Sequence, residues 1–491
     1  MNNKVQLITY ADRFGQGQIS DLHRYLTNNL KPALAGGVHL LPFFAPIDGA
    51  DAGYDPINHD QVDARIGNWE DIKKLSGDFP LTVDLIVNHI SDKSEPFIDV
   101  KAKGSKSPYF ELFLTKDKVF PNGATEEDIN KIYRPRPNRP FSLRKLDSGE
   151  KIEFWTTFSQ HQLDIDVQSE AGKKYLHRLI KQFSEAGVKM IRLDAIGYAI
   201  KKAGSSCFML PETFDLISEI CEIAHSYHLE VLCEIHAHHE IQKAIAERVD
   251  YVYDFVLPPL VLYTLFTRNS SRLKQWLAIS PKNCLTVLDT HDGIGVMDIA
   301  DVDGKAGILS HQEIDLLVNS IHKNSNDSSK MATGAAASNL DLYQVNSSYY
   351  DALGGDDQVY LIARAIQFFC PGIPQVYYGG LLAAANDINL LEKTKVGRDI
   401  NRPYLNFKEV DIAMQKPVVQ KLLALMEFRN TQAAFNGEFS VRPSDDSQIC
   451  LHWQKDQFWT ELKVDLKNKT LRIESQDGAF TLNSSQPNGT N

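Results

Sequence analysis

Short apolar, β-branched runs alternate with amphipathic helical stretches along most of the chain, and that alternation predicts a parallel sheet with crossover helices. Eight runs read as strands: Val5–Tyr10, Gly37–Phe44, Thr82–His89, Val188–Ala195, Leu229–Glu234, Tyr251–Leu257, Cys284–Asp289 and Ile373–Tyr378. Helical patterns fall between them. In Glu170–Glu185, the apolar residues Tyr175, Leu176, Leu179, Ile180 and Phe183 recur on one face. Pro211-Glu212 opens another helix with residue types suited to a first turn, and Pro417–Phe428 supplies a late one. Eight such units in this length fit a closed α/β barrel of the (β/α)8 TIM type better than an open sheet.

Three segments break the repeat. Roughly eighty residues separate the third strand from the next helix, far more than an ordinary connection needs. A second excursion, from Asp292 to about Gly355, is rich in Asn, Ser, Gly and Ala. After about Ala434 the helical pattern stops, and short runs such as Phe458-Trp459-Thr460 and Thr470-Leu471-Arg472-Ile473 predict a small β domain. The expected organisation is barrel in 1–88, 169–291 and 356–435, inserted domains in 89–168 and 292–355, and a C-terminal β domain in 436–491. Insertions after the third and seventh strands lie at the C-terminal mouth of a barrel, where active sites are built.

Composition narrows the function class. A net charge of −11 disfavours a nucleic-acid backbone as partner, though it leaves room for a small anion wherever local Arg or Lys side chains reverse the field. Met1-Asn2-Asn3-Lys4-Val5 runs straight into the first strand without a secretory pattern, and no apolar run reaches membrane-spanning length. The cysteines are scattered with no CxxC pair, as expected of reduced, buried thiols. A cytoplasmic enzyme with no membrane or nucleic-acid partner is therefore expected.

The strand ends carry the chemistry. Alternation along the fourth strand puts Arg192 and Asp194 on one face, and a neighbouring guanidinium favours the ionised carboxylate that a nucleophile needs. A structural Arg–Asp ion pair would read the same way. The fifth strand ends in Glu234 after Val231-Leu232-Cys233, where partial desolvation would raise its pKa and suit a general acid, unless it simply faces solvent. The seventh brings Asp289, His291 and Asp292, and the third carries Asp84 with Asn88-His89.

Val87-Asn88-His89, Arg192-Leu193-Asp194, Glu234 and His291-Asp292 resemble, in order and on the expected strands, the four short regions of the α-amylase superfamily, glycoside hydrolase family 13. Longer strings, including Leu288–Val296, Asn339–Asn346 and Gly397–Arg402, are similar to the branch of that family that passes glucose from sucrose to inorganic phosphate. The resemblance implies Asp194 as nucleophile, Glu234 as general acid/base and Asp292 as transition-state stabiliser. It implies substrate contacts from Asp51, Tyr54, His89, Arg192, His291 and Arg398, with Gln162, Tyr198, Asp341 and Gln344 around the acceptor. Arg136, in Tyr133-Arg134-Pro135-Arg136-Pro137, and Tyr343 would serve phosphate. Without the resemblance that Arg/Pro run reads as a stiff, solvated linker.

The implied partners are sucrose and inorganic phosphate, with no cofactor, in a monomer or homodimer. Phosphorylases of sucrose 6-phosphate or glucosylglycerol, a sucrose hydrolase or transglucosylase, and a silent sugar-binding scaffold are the alternatives. The histidine-rich run Glu234–Glu240 lacks the i, i+4 pair of a zinc hydrolase, and Asn88 alone, at a calcium-ligand position of α-amylases, does not make a calcium site, so no metal is expected. Gly379-Gly380, Leu381–Ala385 and Pro403 depart from the commoner family pattern beside the sugar-binding region.

Overall fold

The computed structural model describes residues 1–48, 52–134, 138–302, 304–333 and 343–481. All eight expected strands form one closed parallel barrel: β1 (Gln6–Thr9), β2 (Gly37–Leu40), β3 (Leu81–Ile86), β4 (Met190–Asp194), β5 (Glu230–Cys233), β6 (Tyr251–Asp254), β7 (Cys284–Thr286) and β8 (Ile373–Tyr377). Each pairs with its sequence neighbours, and β1 closes on β8 through Gln6 opposite Gln375.

Several strands stop short of their apolar runs, because the chain leaves the ladder early to build the mouth. Beyond β2, Phe44–Ala45 pairs instead with Asn58–Val62, and beyond β3, His89–Ser91 joins Gln162–Asp164. Beyond β6, Leu257 opens a helix with prolines in its first turn, where their missing N–H costs nothing.

The crossover helices follow from capping and stripe. Ser169 accepts from Gly172 N to start Glu170–Glu185, whose buried face is Tyr175, Leu176, Leu179, Ile180 and Phe183. The second excursion is less irregular than its composition suggests. Ser310 and Glu313 form a capping box that starts helix His311–Asn324, with Ile314, Leu317, Val318 and Ile321 buried. The excursion is stapled at its base by a short antiparallel pair, Ile294–Gly295 with Gln344–Val345.

The barrel interior is polar along one path. Gln375 Nε2 donates to Gln6 Oε1 at 2.6 Å, and Tyr253 OH donates to Gln375 Oε1 at 3.2 Å and lies 3.3 Å from His39 Nδ1. His39 Nε2 in turn is 2.9 Å from Asp84 Oδ2, and Asp84 is bonded by Arg192. Buried polar groups must find partners, and here they find one another.

The excursion between β3 and β4 folds around its own hairpin, Phe141–Lys145 with Lys151–Trp155. A buried cation helps hold it to the barrel. Lys201 Nζ lies 2.5 Å from Asp164 Oδ2 and donates to Asn88 Oδ1 at 2.7 Å and to the Tyr198 carbonyl. Asp164 also accepts from Thr157 N and Oγ1, at 2.9 and 2.6 Å. The C-terminal strands between Glu438 and Phe480 form a five-stranded antiparallel sheet, docked where Trp453 Nε1 donates to Phe369 O at 2.8 Å. Among the described residues no helix is long and apolar enough to cross a membrane.

Replacing Lys201 by Met removes the cation but leaves Asp164 buried. Equilibrium denaturation of Lys201→Met should show a loss of about 3–5 kcal/mol, since breaking a buried pair strands its partner; a loss under about 1 kcal/mol would show that solvent reaches Asp164.

Candidate active site

The β4 register places Arg192 opposite Asp84 of β3 and Leu232 of β5, so its side chain enters the barrel beneath the mouth. Nη1 donates to Asp194 Oδ1 at 2.9 Å and to Asp84, and Nη2 lies 3.7 Å from Glu234 Oε1. The Arg192 side chain is 2% exposed, while those of Asp194 and Glu234 are 14% and 13% exposed. The guanidinium is sealed, whereas both carboxyls open to the mouth. Sequence reasoning set a structural pair against a catalytic one. Arg192 pairs below with Asp84 and above with Asp194.

Arg192 does not dominate Asp194 as expected. Burial pushes the Asp194 carboxyl well above its usual range, Arg192 opposes this, and Glu234, Asp84 and Asp292 add to the rise. Asp194 takes the shorter contact with Arg192, at 2.9 Å against 3.7 Å for Glu234. A retaining glycosyl transfer calls for two neighbouring carboxyl groups, one ionised and one protonated.

Asp292 is the opposite case. Burial alone would raise its carboxyl, but the cations Arg398 and Arg402 outweigh it and hold the group far below the usual range. Arg398 Nη1 lies 2.7 Å from Asp292 Oδ1, and Arg402 approaches to 3.7 Å. His291 is buried and pushed down to about 3, so it stands neutral beside these cations. Its ring stacks on Tyr54 with centroids 5.0 Å apart, and the Tyr54 hydroxyl donates to Asp84 Oδ1 at 3.3 Å. His89 Nε2 lies 2.8 Å from the Tyr54 carbonyl and 3.1 Å from Gln162 Nε2.

On the far side, Gln344 Oε1 accepts from Gly293 N at 3.2 Å and from Arg398 Nη2 at 3.4 Å, while its amide nitrogen faces His236 Nε2 at 3.2 Å. Tyr343 presents its ring to the edge of His236. Tyr198 packs between Tyr133, Phe158 and Phe208. The structure thus brings Tyr54, His89, Gln162, Arg192, Asp194, Tyr198, Glu234, His291, Asp292, Tyr343, Gln344 and Arg398 into one connected mouth. Asp51, Arg136 and Asp341 lie outside the described residues.

Asp289 does not join them. Arg364 Nη2, from helix Asp357–Phe369, contacts both its oxygens at 2.8 and 2.7 Å, which makes it a structural anion. That pair explains part of the Gly379-Gly380 departure: a Cβ at Gly380 would come within 2.0 Å of Asp289 Oδ2, whereas one at Gly379 would meet nothing closer than 3.3 Å. Pro403 contributes its carbonyl, which accepts from Tyr378 OH at 2.7 Å.

Sequence reasoning missed His39, Asp298, Phe158 and Phe255. His39, a polar residue inside the buried run of β2, carried the one usable signal. Donor atoms of Glu234, His236 and Asp292 lie within 4.8 Å of one another, close enough in principle for a metal ion. Arg398 lies 2.7 Å from Asp292 Oδ1 and the Gln344 amide nitrogen 3.2 Å from His236 Nε2, so two of the three donor groups already have partners. At Asn88 the side-chain oxygen is taken by the Lys201 ammonium.

Comparison with known proteins agrees with this geometry. The alpha-amylase catalytic-domain family matches residues 30–476. A sucrose phosphorylase from Agrobacterium vitis is 53% identical over 94% of this chain and 95% of its own length. One from Bifidobacterium adolescentis is 51% identical over 92% of this chain and 90% of its own. The crystal structure of sucrose 6F-phosphate phosphorylase from Thermoanaerobacter thermosaccharolyticum superposes with a TM-score of 0.91 at 40% identity, covering 98% of this chain and 97% of that one.

Asp84 yields a pH test. Burial raises its carboxyl, but Arg192 and His39 bring it down to about 2 from an ordinary 3.8. Its ionised form thus adds stability that is complete above about pH 4 and lost as pH falls toward 2. Wild type and Asp84→Asn should differ by roughly 2 kcal/mol in denaturant unfolding at neutral pH and converge near pH 2. A gap independent of pH would sink the assignment.

Proposed function

The chain belongs to the α-amylase catalytic-domain family, and from that premise we propose that it catalyses the reversible phosphorolysis of sucrose to α-glucose 1-phosphate and fructose. The observation that carries the chemistry is Arg192, whose guanidinium bonds Asp194 and faces Glu234. The relatives named sucrose phosphorylase support the choice of donor and acceptor.

In this reading Asp194 attacks the anomeric carbon while Glu234 protonates the departing fructose oxygen, and the C–O bond breaks as a β-glucosyl ester forms. Glu234 then takes the proton of the incoming phosphate, which opens the ester with a second inversion and restores the α configuration. Asp292, held anionic by Arg398, stabilises the positive charge that develops on the sugar ring. Tyr54 and His291 offer stacked ring faces to the glucosyl unit, with His89 beside them. Gln162, Tyr198, Tyr343, Gln344 and Asp341 shape the acceptor side, Asp51 contacts the sugar, and Arg136 with Tyr343 offsets the charge of phosphate near Glu234 and Asp292. At roughly 4–6 Å such like-charge pairs cost on the order of a kcal/mol each, so a cation there matters.

The reaction uses no cofactor and no metal. We infer a cytoplasmic enzyme that works as a monomer or homodimer. A second reading, with sucrose 6-phosphate as donor, is favoured by the name of the solved neighbour and is separated from the first by donor preference.

Incubation with sucrose, with and without phosphate, tests the proposal: glucose 1-phosphate and fructose should appear with phosphate. Glucose alone, whatever the phosphate concentration, would instead mark a hydrolase. Asp194→Asn should lower transfer by at least about a thousandfold, and normal turnover would overturn its role as nucleophile. Arg136→Ala should reduce phosphate-dependent turnover more than hydrolysis; equal losses would count against phosphate binding.

A further inference from the structure

Glu234 has a neighbour held more firmly than the barrel requires. His236 Nδ1 is 3.0 Å from Asp298 Oδ2, and Ala237 N donates to Asp298 Oδ1 at 3.3 Å. Asp298 lies in the short helical turn Met297–Ile299 and is fully buried. The imidazole stacks on Phe255 with centroids 3.9 Å apart, and Tyr343 closes its edge at 5.5 Å. A Cβ at Gly295 would come within 2.3 Å of Asp298 Oδ2 and 3.3 Å of His236 Nδ1, so glycine there lets carboxylate and imidazole meet.

The other ring nitrogen has two neighbours. His236 Nε2 is 3.2 Å from Gln344 Nε2 and 3.7 Å from Glu234 Oε1. With its Nδ1–H on Asp298, the neutral ring accepts from the Gln344 amide. A proton added at Nε2 makes it a donor, which Glu234 can serve and the amide cannot. The acids facing the ring are Asp298, Glu234 and Asp292. The nearest cations are turned elsewhere, Arg398 toward Asp292 and Gln344, and Arg192 toward Asp84 and Asp194. Burial disfavours the imidazolium, but the three acids outweigh it and raise His236 above its ordinary value.

We propose that Asp298 is a positioning residue for the acid/base: through His236 it fixes a second proton-holding group beside Glu234. This rests on the assignment of Glu234 made above. In the first half-reaction Glu234 loses its proton to the departing oxygen and becomes an anion beside Asp292. His236 then takes a proton from solvent at Nε2, donates to that new carboxylate and offsets the charge met by an anionic acceptor. In the second half-reaction Glu234 takes the acceptor's proton, His236 returns its Nε2 proton to solvent and again accepts from Gln344, so no net proton is gained or lost over the cycle.

The test is a set of pH–rate profiles for wild type, Asp298→Asn, His236→Gln and the double variant, with phosphate and with water as acceptors. Asparagine keeps the shape and the bond from Ala237 but presents an amide to Nδ1, which reverses the tautomer. Asp298→Asn should lose about tenfold or more in kcat with phosphate, with the KM for sucrose within about twofold of wild type. Its alkaline limb should move to lower pH, hydrolysis should lose less, and the double variant should be no worse than His236→Gln alone. An unchanged profile, equal losses for both acceptors, or additive losses would overturn the proposal. If Asp298→Asn melts well below wild type, His236→Gln is read by the same criteria. Wild type that makes no glucose 1-phosphate from sucrose refutes the functional reading instead, and the same comparison is then made on hydrolysis.

Discussion

One guanidinium organises the molecule. Arg192 is buried inside the barrel, and a charge there is tolerable only because Asp84 and Asp194 share it and Glu234 lies within reach. The arrangement ties three adjacent strands, β3, β4 and β5, by charge as well as by backbone ladder. A register slip of one residue would point Arg192 outward and strand Asp84 without its cation. Stability and chemistry therefore meet in a single side chain. Below it the path through Asp84, His39, Tyr253, Gln375 and Gln6 runs across the barrel floor, so the mouth is continuous with a bonded polar interior.

Much of this was legible in the sequence, for identifiable reasons. The eight strands carried apolar runs with crossover helices between them, and the period-2 alternation of Ile191-Arg192-Leu193-Asp194 placed the Arg and the Asp on one face. Strand ends were overextended because Leu41-Pro42-Phe43 or Val287-Leu288 is as apolar outside the ladder as within it; only the backbone pairing tells them apart. Helix His311–Asn324 was hidden by the Asn- and Ser-rich residues that follow it, although its capping box was in plain view. The strand pattern gave the acids only as a set, and the family resemblance alone left Asp289 without a role: it is claimed by Arg364, seventy-five positions away, and no local pattern announces that partner.

The charge of Asp194 shows the same limit from another side. An arginine two residues away predicts a depressed carboxyl, yet burial and three neighbouring acids from other strands push it the other way. Glycines carry a comparable hidden message. Gly295 and Gly380 look like ordinary loop glycines, but each lies where a side chain would collide with a buried carboxylate.

The lysine at the root of the first excursion has a consequence beyond stability. A coordinated ion occupies its site by mass action, so its occupancy follows concentration, competition and chelators. Lys201 is tethered to the loop that follows β4 and is present once per chain, at a local concentration no solution can dilute. The joint between the excursion and the barrel is therefore independent of the ionic composition of the surroundings. Its control is genetic rather than environmental: one codon change can open it, and no sequestering agent can.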